Sequence, residues 1–254
     1  MITLDTNSLL TISLLFFRVF AFVVMVPFFG TFFLPNFVRA YLSFAIAVSI
    51  FMLSDLKPIE INSVAEFLKL SLQEALFGFL AGFFLRLLFD SIFVAGEVIA
   101  VNTGLGFLMM FLPQQPQTTV LAGFSTLLAS TLFLTLGGAE AVYVGLVKSL
   151  QGFPLGSFDL YLLNGKALLN LFYSSFSTGV KLALPVLIAS LLTNVILAVV
   201  NRFIPQINVF MVGLPLQITV GLVILLLSLP IIGLVLISHM REYMFNFLRF
   251  MGSG

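Results

Sequence analysis

An all-α, membrane-embedded fold of long, broken helical hairpins is what this sequence predicts, on three observations. Of the 254 residues, 61% are hydrophobic and 8% charged, whereas a soluble domain has about a quarter of its residues charged. Charge-free runs from Val19 to Val38, Leu182 to Asn201 and Phe203 to Ser238 meet or exceed the roughly 20 residues that cross a hydrocarbon core of about 30 Å. Two polar, proline-bearing breaks, one in each half, interrupt the apolar sequence. The net charge of +1 makes no case for a nucleic-acid partner. With no Cys and one His, disulfides, thiolate metal sites, Cys nucleophiles and clustered His ligation are excluded, so no metal or cofactor is expected.

The N-terminus, MITLDTNSLLTISLLFFRVF, has Asp5 where a signal peptide needs positive charge, and no small-x-small cleavage site follows. It is expected to be mature sequence. Phe occurs 31 times and Trp never, so the usual Trp belt at a membrane interface is missing. Leu9 to Phe29 predicts a first helix ended by Gly30, and Phe37 to Leu53 a second with Pro35 near its start. The linker SDLKPIEIN, Ser54 to Asn62, is the most polar stretch and is expected to be solvated.

Ser63 caps a pattern with no proline before Pro113. As one helix, Val64 to Ala100 is roughly 55 Å long at 1.5 Å per residue, so it projects from the membrane or lies against protein. At 100° per residue, Glu66, Lys69 and Gln73 share one face, and Arg86, Asp90 and Glu97 share nearly the opposite one. Such a helix changes partners midway. Gly78 and Gly82, a small-xxx-small pair between the stripes, either admit another helix closely or mark a lipid-exposed kink.

The first break, GLGFLMMFLPQQPQTTV from Gly104 to Val120, lies within a charge-free run from Val98 to Ala139. Thr118 to Leu136 then predicts a helix ending at Gly137-Gly138, and Ala139 to Leu150 a short one. Gln151 to Asp159, QGFPLGSFD, reads as a turn-rich loop. Ala167 to Asn201 predicts a long helix carrying Pro185, Asn201 to Pro215 a second break, and Leu216 to about Ile237 a last helix containing Pro230, followed by HMREYMFNFLRF. The halves share a plan of long helix, break and long helix, without a repeat of fixed period.

Intramembrane charges are functional candidates because of their insertion cost. Arg86 and Asp90, four apart, can pair on one helix face. Glu97 has no such local partner; it reads as a proton or cation site or as a member of an interhelical salt bridge, with Lys181 and Arg202 as possible cations. His239, beside Arg241 and Glu242, reads as interfacial. Paired intramembrane aspartates, HExxH and G-x-S-x-G do not occur, and nothing in their spacing makes Ser125 and Lys181 a dyad, so no enzyme is expected.

Irregular backbone at membrane depth is tolerated only where protein buries it or it lines an aqueous cavity. Pro113 and Pro116 forbid a regular helix, and Gln114, Gln115 and Gln117 need polar partners. Gly104 to Gln117 therefore faces a pore or forms a loop at the membrane surface. The unbranched, adaptable Met109 and Met110 beside Phe111 suit a seal that moulds around unlike contents; a hairpin tip touching lipid is the alternative. Two broken segments in corresponding halves also fit a secondary transporter with a broken-helix substrate site.

The segments FFRVFAFVVMVPFFG, LPNFVRAYLSFAIA, GEVIAVNTGLGFLMMFLPQ, FPLG at Phe153 to Gly156 and ALPVLIASLLTNVILAVVNRFIPQINVFMVGLPLQITVGL resemble the FliR family and its virulence-system counterparts, export-gate subunits of type III secretion systems. The resemblance runs from about Phe16 to Leu236, and PQINVFMVGLPLQ, Pro205 to Gln217, is its most specific element. It implies a single copy of this chain assembled with FliP-like and FliQ-like subunits into a helical, pseudo-hexameric gate for unfolded flagellar proteins. Residues 1–160 would form a FliP-like half and 161–254 a FliQ-like hairpin. The implied setting is the bacterial inner membrane at the flagellar basal body, in contact with lipid and other export-apparatus membrane proteins.

By position, the family's channel plug maps onto Gly106, Phe107, Leu108, Met109, Met110, Phe111, Leu112, Pro113, Gln114, Gln115, Pro116 and Gln117. The second break, with Asn201, Arg202, Pro205, Gln206 and Asn208, would be a loop near the cytoplasmic entrance. Arg86, Asp90, Glu97 and Lys181 are expected to make polar contacts between subunits.

Overall fold

A computed structural model describes residues 5–29, 34–54, 56, 58–61, 63–106, 119–158, 165–203 and 209–252, without the side chains of 167, 168 and 209–211. The described residues form α-helices, one 3-10 turn and connecting turns: α1 (Thr6–Met25), the 3-10 turn (Pro27–Phe29), α2 (Asn36–Leu53), α3 (Val64–Asn102), α4 (Val120–Thr135), α5 (Gly138–Gly152), α6 (Gly165–Phe203) and α7 (Val209–Met251). Five of these helices are long and apolar enough to cross a membrane, or six if α4 and α5, bent by 68°, count as one broken span. The bend falls at Gly137, whose φ of +84° is a left-handed conformation that glycine adopts without a Cβ penalty.

Two compact units emerge: Met1–Leu87 with Leu134–Leu169 and Glu242–Gly254, and Leu88–Phe133 with Asn170–Arg241. In the first unit, the Asp5 side chain accepts the Thr6 N–H at 2.8 Å and starts α1. The helix ends at Met25, four residues before the expected end, because Pro27 pushes Val26 into extended backbone (ψ 122°). Helix α2 buries Ser43, Ala47 and Ile50 along one stripe and packs on α1. The polar linker is less free than expected, since the Ile59 N–H donates to Thr11 Oγ1 of α1 at 3.0 Å.

Helix α3 is continuous over 39 residues, about 58 Å at 1.5 Å per residue. Ser63 caps it, its hydroxyl accepting the Glu66 N–H at 3.1 Å. Gly78 and Gly82 seat α1: a Cβ on Gly78 would overlap the Arg18 carbonyl, and one on Gly82 would lie 2.8 Å from the Phe22 carbonyl oxygen. The small-xxx-small pair thus marks a helix contact, not a lipid-exposed kink. Of the apolar stretch of α3, 61% of residues are buried, against 17% in α7, so α3 lies on protein while α7 presents most of its surface outward.

At the centre of this unit, the fully buried Arg18 donates through Nε to the fully buried Glu74 carboxylate. Its remaining nitrogens donate to Ser149 Oγ and to the Phe153 carbonyl, both at 3.0 Å, and the guanidinium lies 4.5 Å from the Phe77 ring centroid. The second Glu74 oxygen accepts the Gly156 N–H at 2.7 Å. Every charge is met by a hydrogen bond, as burial requires.

The end of α7 departs furthest from expectation. Instead of stopping near Ile237, it runs to Met251, burying Tyr243, Met244, Phe247 and Met251 at the three- and four-residue spacing of one helix face. Phe247 sits over Gly145, where a Cβ would lie 2.6 Å from its ring. Pro215 and Pro230 lie inside α7 and Pro185 inside α6; prolines persist in membrane helices when neighbours or Ser/Thr side chains satisfy the freed carbonyls. The second break accordingly contracts: Asn201 and Arg202 belong to the end of α6, and α7 begins at Val209.

Candidate functional site

Within the second unit, four helices meet where α3 ends, and glycines allow their backbones to approach. A Cβ on Gly96 of α3 would lie 2.7 Å from Ala122 Cα of α4, and one on Gly179 of α6 would lie 2.5 Å from the Ser91 carbonyl oxygen. A Cβ on Gly221 of α7 would overlap the Thr103 side chain. Gly104 turns the chain away from α3 with φ +77°, facing Leu214 and Ile218.

Close packing strands polar backbone at helix ends, and specific side chains meet it. The Asn102 carbonyl, which lacks a partner within its own helix, accepts from Ser190 Oγ at 2.8 Å and from Gln217 Nε2 at 2.7 Å. At the start of α4, Thr119 Oγ1 accepts the Ala122 N–H at 3.2 Å, the geometry of an N-cap. The Thr119 N–H in turn donates to Glu97 Oε1 at 2.9 Å. Glu97 therefore places a carboxylate at the positive end of the α4 dipole.

This is a role the sequence did not suggest for Glu97: among the described residues its hydrogen-bond partner is backbone, not Lys181 or Arg202. Arg86 is exposed and Asp90 half-buried on α3, and Lys181 is exposed on α6. Asn201 and Arg202 are exposed in the last turn of α6, and Gly106 is half-buried just beyond α3. Residues 107–117, expected to form the seal, lie outside the described residues, as do Pro205, Gln206 and Asn208. The Ser125 hydroxyl donates to Leu121 of its own helix at 2.7 Å. An apolar cavity of about 240 Å³ adjoins the junction, walled by Ile92, Gly96, Ile99, Leu121, Leu225 and Leu229; it can take hydrocarbon but offers no acid or base.

Sequence reasoning missed Arg18, Glu74, Ser190 and Gln217 as functional side chains. The signal for the first two was present, since Arg18 is a single charge in an apolar helix and meets the rule applied to Arg86, Asp90 and Glu97. Gln217 could have been found as an amide two residues after Pro215, within the charge-free run from Phe203 to Ser238.

Among the described residues, the arrangement positions backbone, buries helix ends and brings no reacting groups together. The family described as Bacterial export proteins, family 1, matches residues 9–243. The chain is 48% identical over 235 residues to the flagellar biosynthetic protein FliR of Aquifex aeolicus (strain VF5), covering 92% of this chain and 91% of that protein. It is 32% identical over 240 residues to FliR of Caulobacter vibrioides, covering 91% and 92%. With FliR of Escherichia coli (strain K12) it shares 33% identity over 183 residues, covering 70% and 69%. Since the family match runs from α1 into the final turns of α7 and takes in Arg18, Glu74, Glu97, Ser190 and Gln217, the chain belongs to the bacterial export proteins, family 1, the family of the flagellar biosynthetic protein FliR.

Proposed function

We propose that the chain is a membrane subunit of the flagellar export apparatus, contributing one wall and the seal of a channel for unfolded flagellar proteins. The observation that carries this reading is similarity over nine-tenths of its length to a flagellar biosynthetic protein. In the proposed assembly, one copy joins FliP-like and FliQ-like subunits in the inner membrane at the flagellar basal body. Residues 1–160 act as the FliP-like half and 161–254 as the FliQ-like hairpin. The Gln217 to Ser190 contact of 3.4 Å supports the hairpin, because it joins points 27 residues apart on either side of the connection between α6 and α7.

Gly106 to Gln117 serves as the seal, and Asn201 to Asn208 lies near the cytoplasmic entrance against neighbouring subunits. Arg86, Asp90, Glu97 and Lys181 make polar contacts with other subunits. Exposed apolar residues such as Ile188, Leu191, Leu192, Val195 and Val199 of α6 and Leu226, Leu227 and Leu234 of α7 support burial against subunits or lipid. The energy for export comes from elsewhere in the apparatus.

Expressed without partners, the chain is expected to aggregate or be degraded, and co-expressed with FliP-like and FliQ-like subunits it should appear once per complex by native mass measurement. A monodisperse monomer or homodimer that moves a small solute would instead favour the transporter reading. Replacing Gln206 and Asn208 together with Leu is expected to reduce assembly or secretion severalfold, because polar groups at a subunit contact lose their partners. Wild-type secretion by that double variant would remove the case for a subunit contact there.

A further inference from the structure

We infer that the last turns of α7, Tyr243 to Met251, are a latch that closes the first unit, with Phe247 and Phe250 as positioning residues for the turn that meets the buried Arg18–Glu74 pair. The latch lies almost wholly beyond residues 9–243, the span of the family match.

This stretch is amphipathic. Tyr243, Met244, Phe247 and Met251 are buried, while Arg241, Glu242, Phe245, Asn246 and Arg249 are exposed, the spacing by which a helix lays one apolar face into a groove. The groove is aromatic and is built from segments distant in sequence. Between ring centroids, Phe84 of α3 meets Tyr243 at 5.0 Å, Phe247 at 5.9 Å and Phe250 at 5.5 Å, and Phe22 of α1 meets Phe247 at 6.0 Å. These are the separations of favourable ring pairs. Helix α5 contributes a floor without a side chain, since a Cβ on Gly145 would lie 2.6 Å from the Phe247 ring. That ring, fully buried against Phe22 and Phe84, has no room to swing aside.

The far end of the latch reaches the turn that follows α5. Phe250 lies 6.3 Å from Phe153, which also packs on Phe77 at 5.0 Å and whose carbonyl accepts from Arg18 at 3.0 Å. Three residues on, the Gly156 N–H donates to Glu74 at 2.7 Å. Arg18 and Glu74 thus each take a partner from a turn whose first residue is packed under Phe250. A buried ion pair is strong only while water is excluded, so an open turn would weaken the pair as well as the groove. The latch follows Asn170–Arg241 of the second unit in the chain, so in the order of synthesis the first unit closes after the residues of the second have been made.

The test compares the parent complex, purified from membranes, with complexes carrying Gly145→Ala, Phe247→Leu or both. Hydrogen–deuterium exchange is read at Phe153, Gly156 and Ser157, whose amides are hydrogen-bonded in or beside the turn, and at residues 182–190 of α6 in the second unit. Gly145→Ala pushes on the ring and Phe247→Leu removes it. Each is expected to speed exchange at the turn about tenfold while leaving 182–190 within about twofold of the parent. Combined, the added methyl takes space that the smaller side chain leaves, and exchange at the turn should return to within about threefold of the parent, a coupling that independent sites do not show.

Faster exchange at 243–251 beside an unchanged turn would mean that the end of α7 frays without holding the turn, and would overturn the proposal. Equal acceleration at the turn and at 182–190, the mark of one cooperative core, would overturn it too, as would increases that simply multiply in the double variant. Should Gly145→Ala give no complex, Phe250→Leu takes its place, and a turn as protected as in the parent then overturns the positioning role.

Discussion

Replacing Glu74 with alanine is expected to be the most damaging single substitution in the chain, destabilising the first unit by about 3–5 kcal/mol, the cost of breaking a buried ion pair from one side. The carboxylate is fully buried and meets Arg18 Nε with one oxygen and the Gly156 N–H with the other. Its removal leaves the Arg18 guanidinium without a counter-charge, with only Ser149 Oγ, the Phe153 carbonyl and the Phe77 ring as company. It also frees the turn at Gly156, whose φ of +78° is held against Leu70. The readouts are thermal unfolding of the purified complex and the amount of complex recovered from membranes. Glu74→Gln, which keeps both acceptor and shape, should lose less. Changing Arg18 and Glu74 together to Met should lose less than Glu74→Ala alone, because no charge is stranded. A Glu74→Ala complex recovered in full and melting with the parent would show that water reaches this pair.

Shortening the chain within Phe107 to Leu112 is expected to leave assembly intact and make the membrane leaky to ions. The elements that hold the junction together, Glu97 with Thr119 and Asn102 with Ser190 and Gln217, all lie outside the deleted residues. Assembly therefore keeps its polar ties and glycine contacts. What is lost is the run of Phe107, Leu108, Met109, Met110, Phe111 and Leu112, apolar side chains able to close a bore through many weak contacts. Apolar side chains make no directed hydrogen bonds, so an incoming unfolded chain is expected to displace a seal built from them at modest cost. Conductance of cells or planar bilayers carrying the shortened complex, against the parent, decides the matter. Normal complex yield together with an unchanged ion barrier would place the seal elsewhere, and loss of the complex would make the segment structural.

Most helices could be read from the sequence because the signals are local. Asp5, Pro27, Pro35, Ser63, Gly137 and Gly138 sit at or beside helix ends, and each acts through its own backbone geometry or a hydrogen bond within a few residues. The 39-residue α3 was legible for the same reason: no proline and no strong breaker interrupts it. Proline was over-read at Pro215 and under-read at Pro27. Its effect depends on whether something else satisfies the freed carbonyl, and that is a property of the surroundings. The final turns of α7 were legible in the stripe Tyr243, Phe247 and Met251, which the charged residues Arg241, Glu242 and Arg249 between them masked.

By itself the sequence determined that this protein is helical, suited to a membrane and interrupted by two polar, proline-bearing stretches, and it narrowed Gly78 and Gly82 to a close helix contact or a lipid-exposed kink. These follow from composition, period and backbone chemistry, which act over one or two turns. Only the tertiary structure decided which polar groups meet. Arg18 finds Glu74 across 56 residues, Gln217 finds Asn102 across 115, and one Glu97 carboxylate oxygen accepts the backbone N–H of Thr119. The physical reason is that the glycine contacts set how near two helices come, and that separation decides which donors reach which acceptors once water is excluded. A charge placed on a helix face by its period has several possible partners, and packing selects among them.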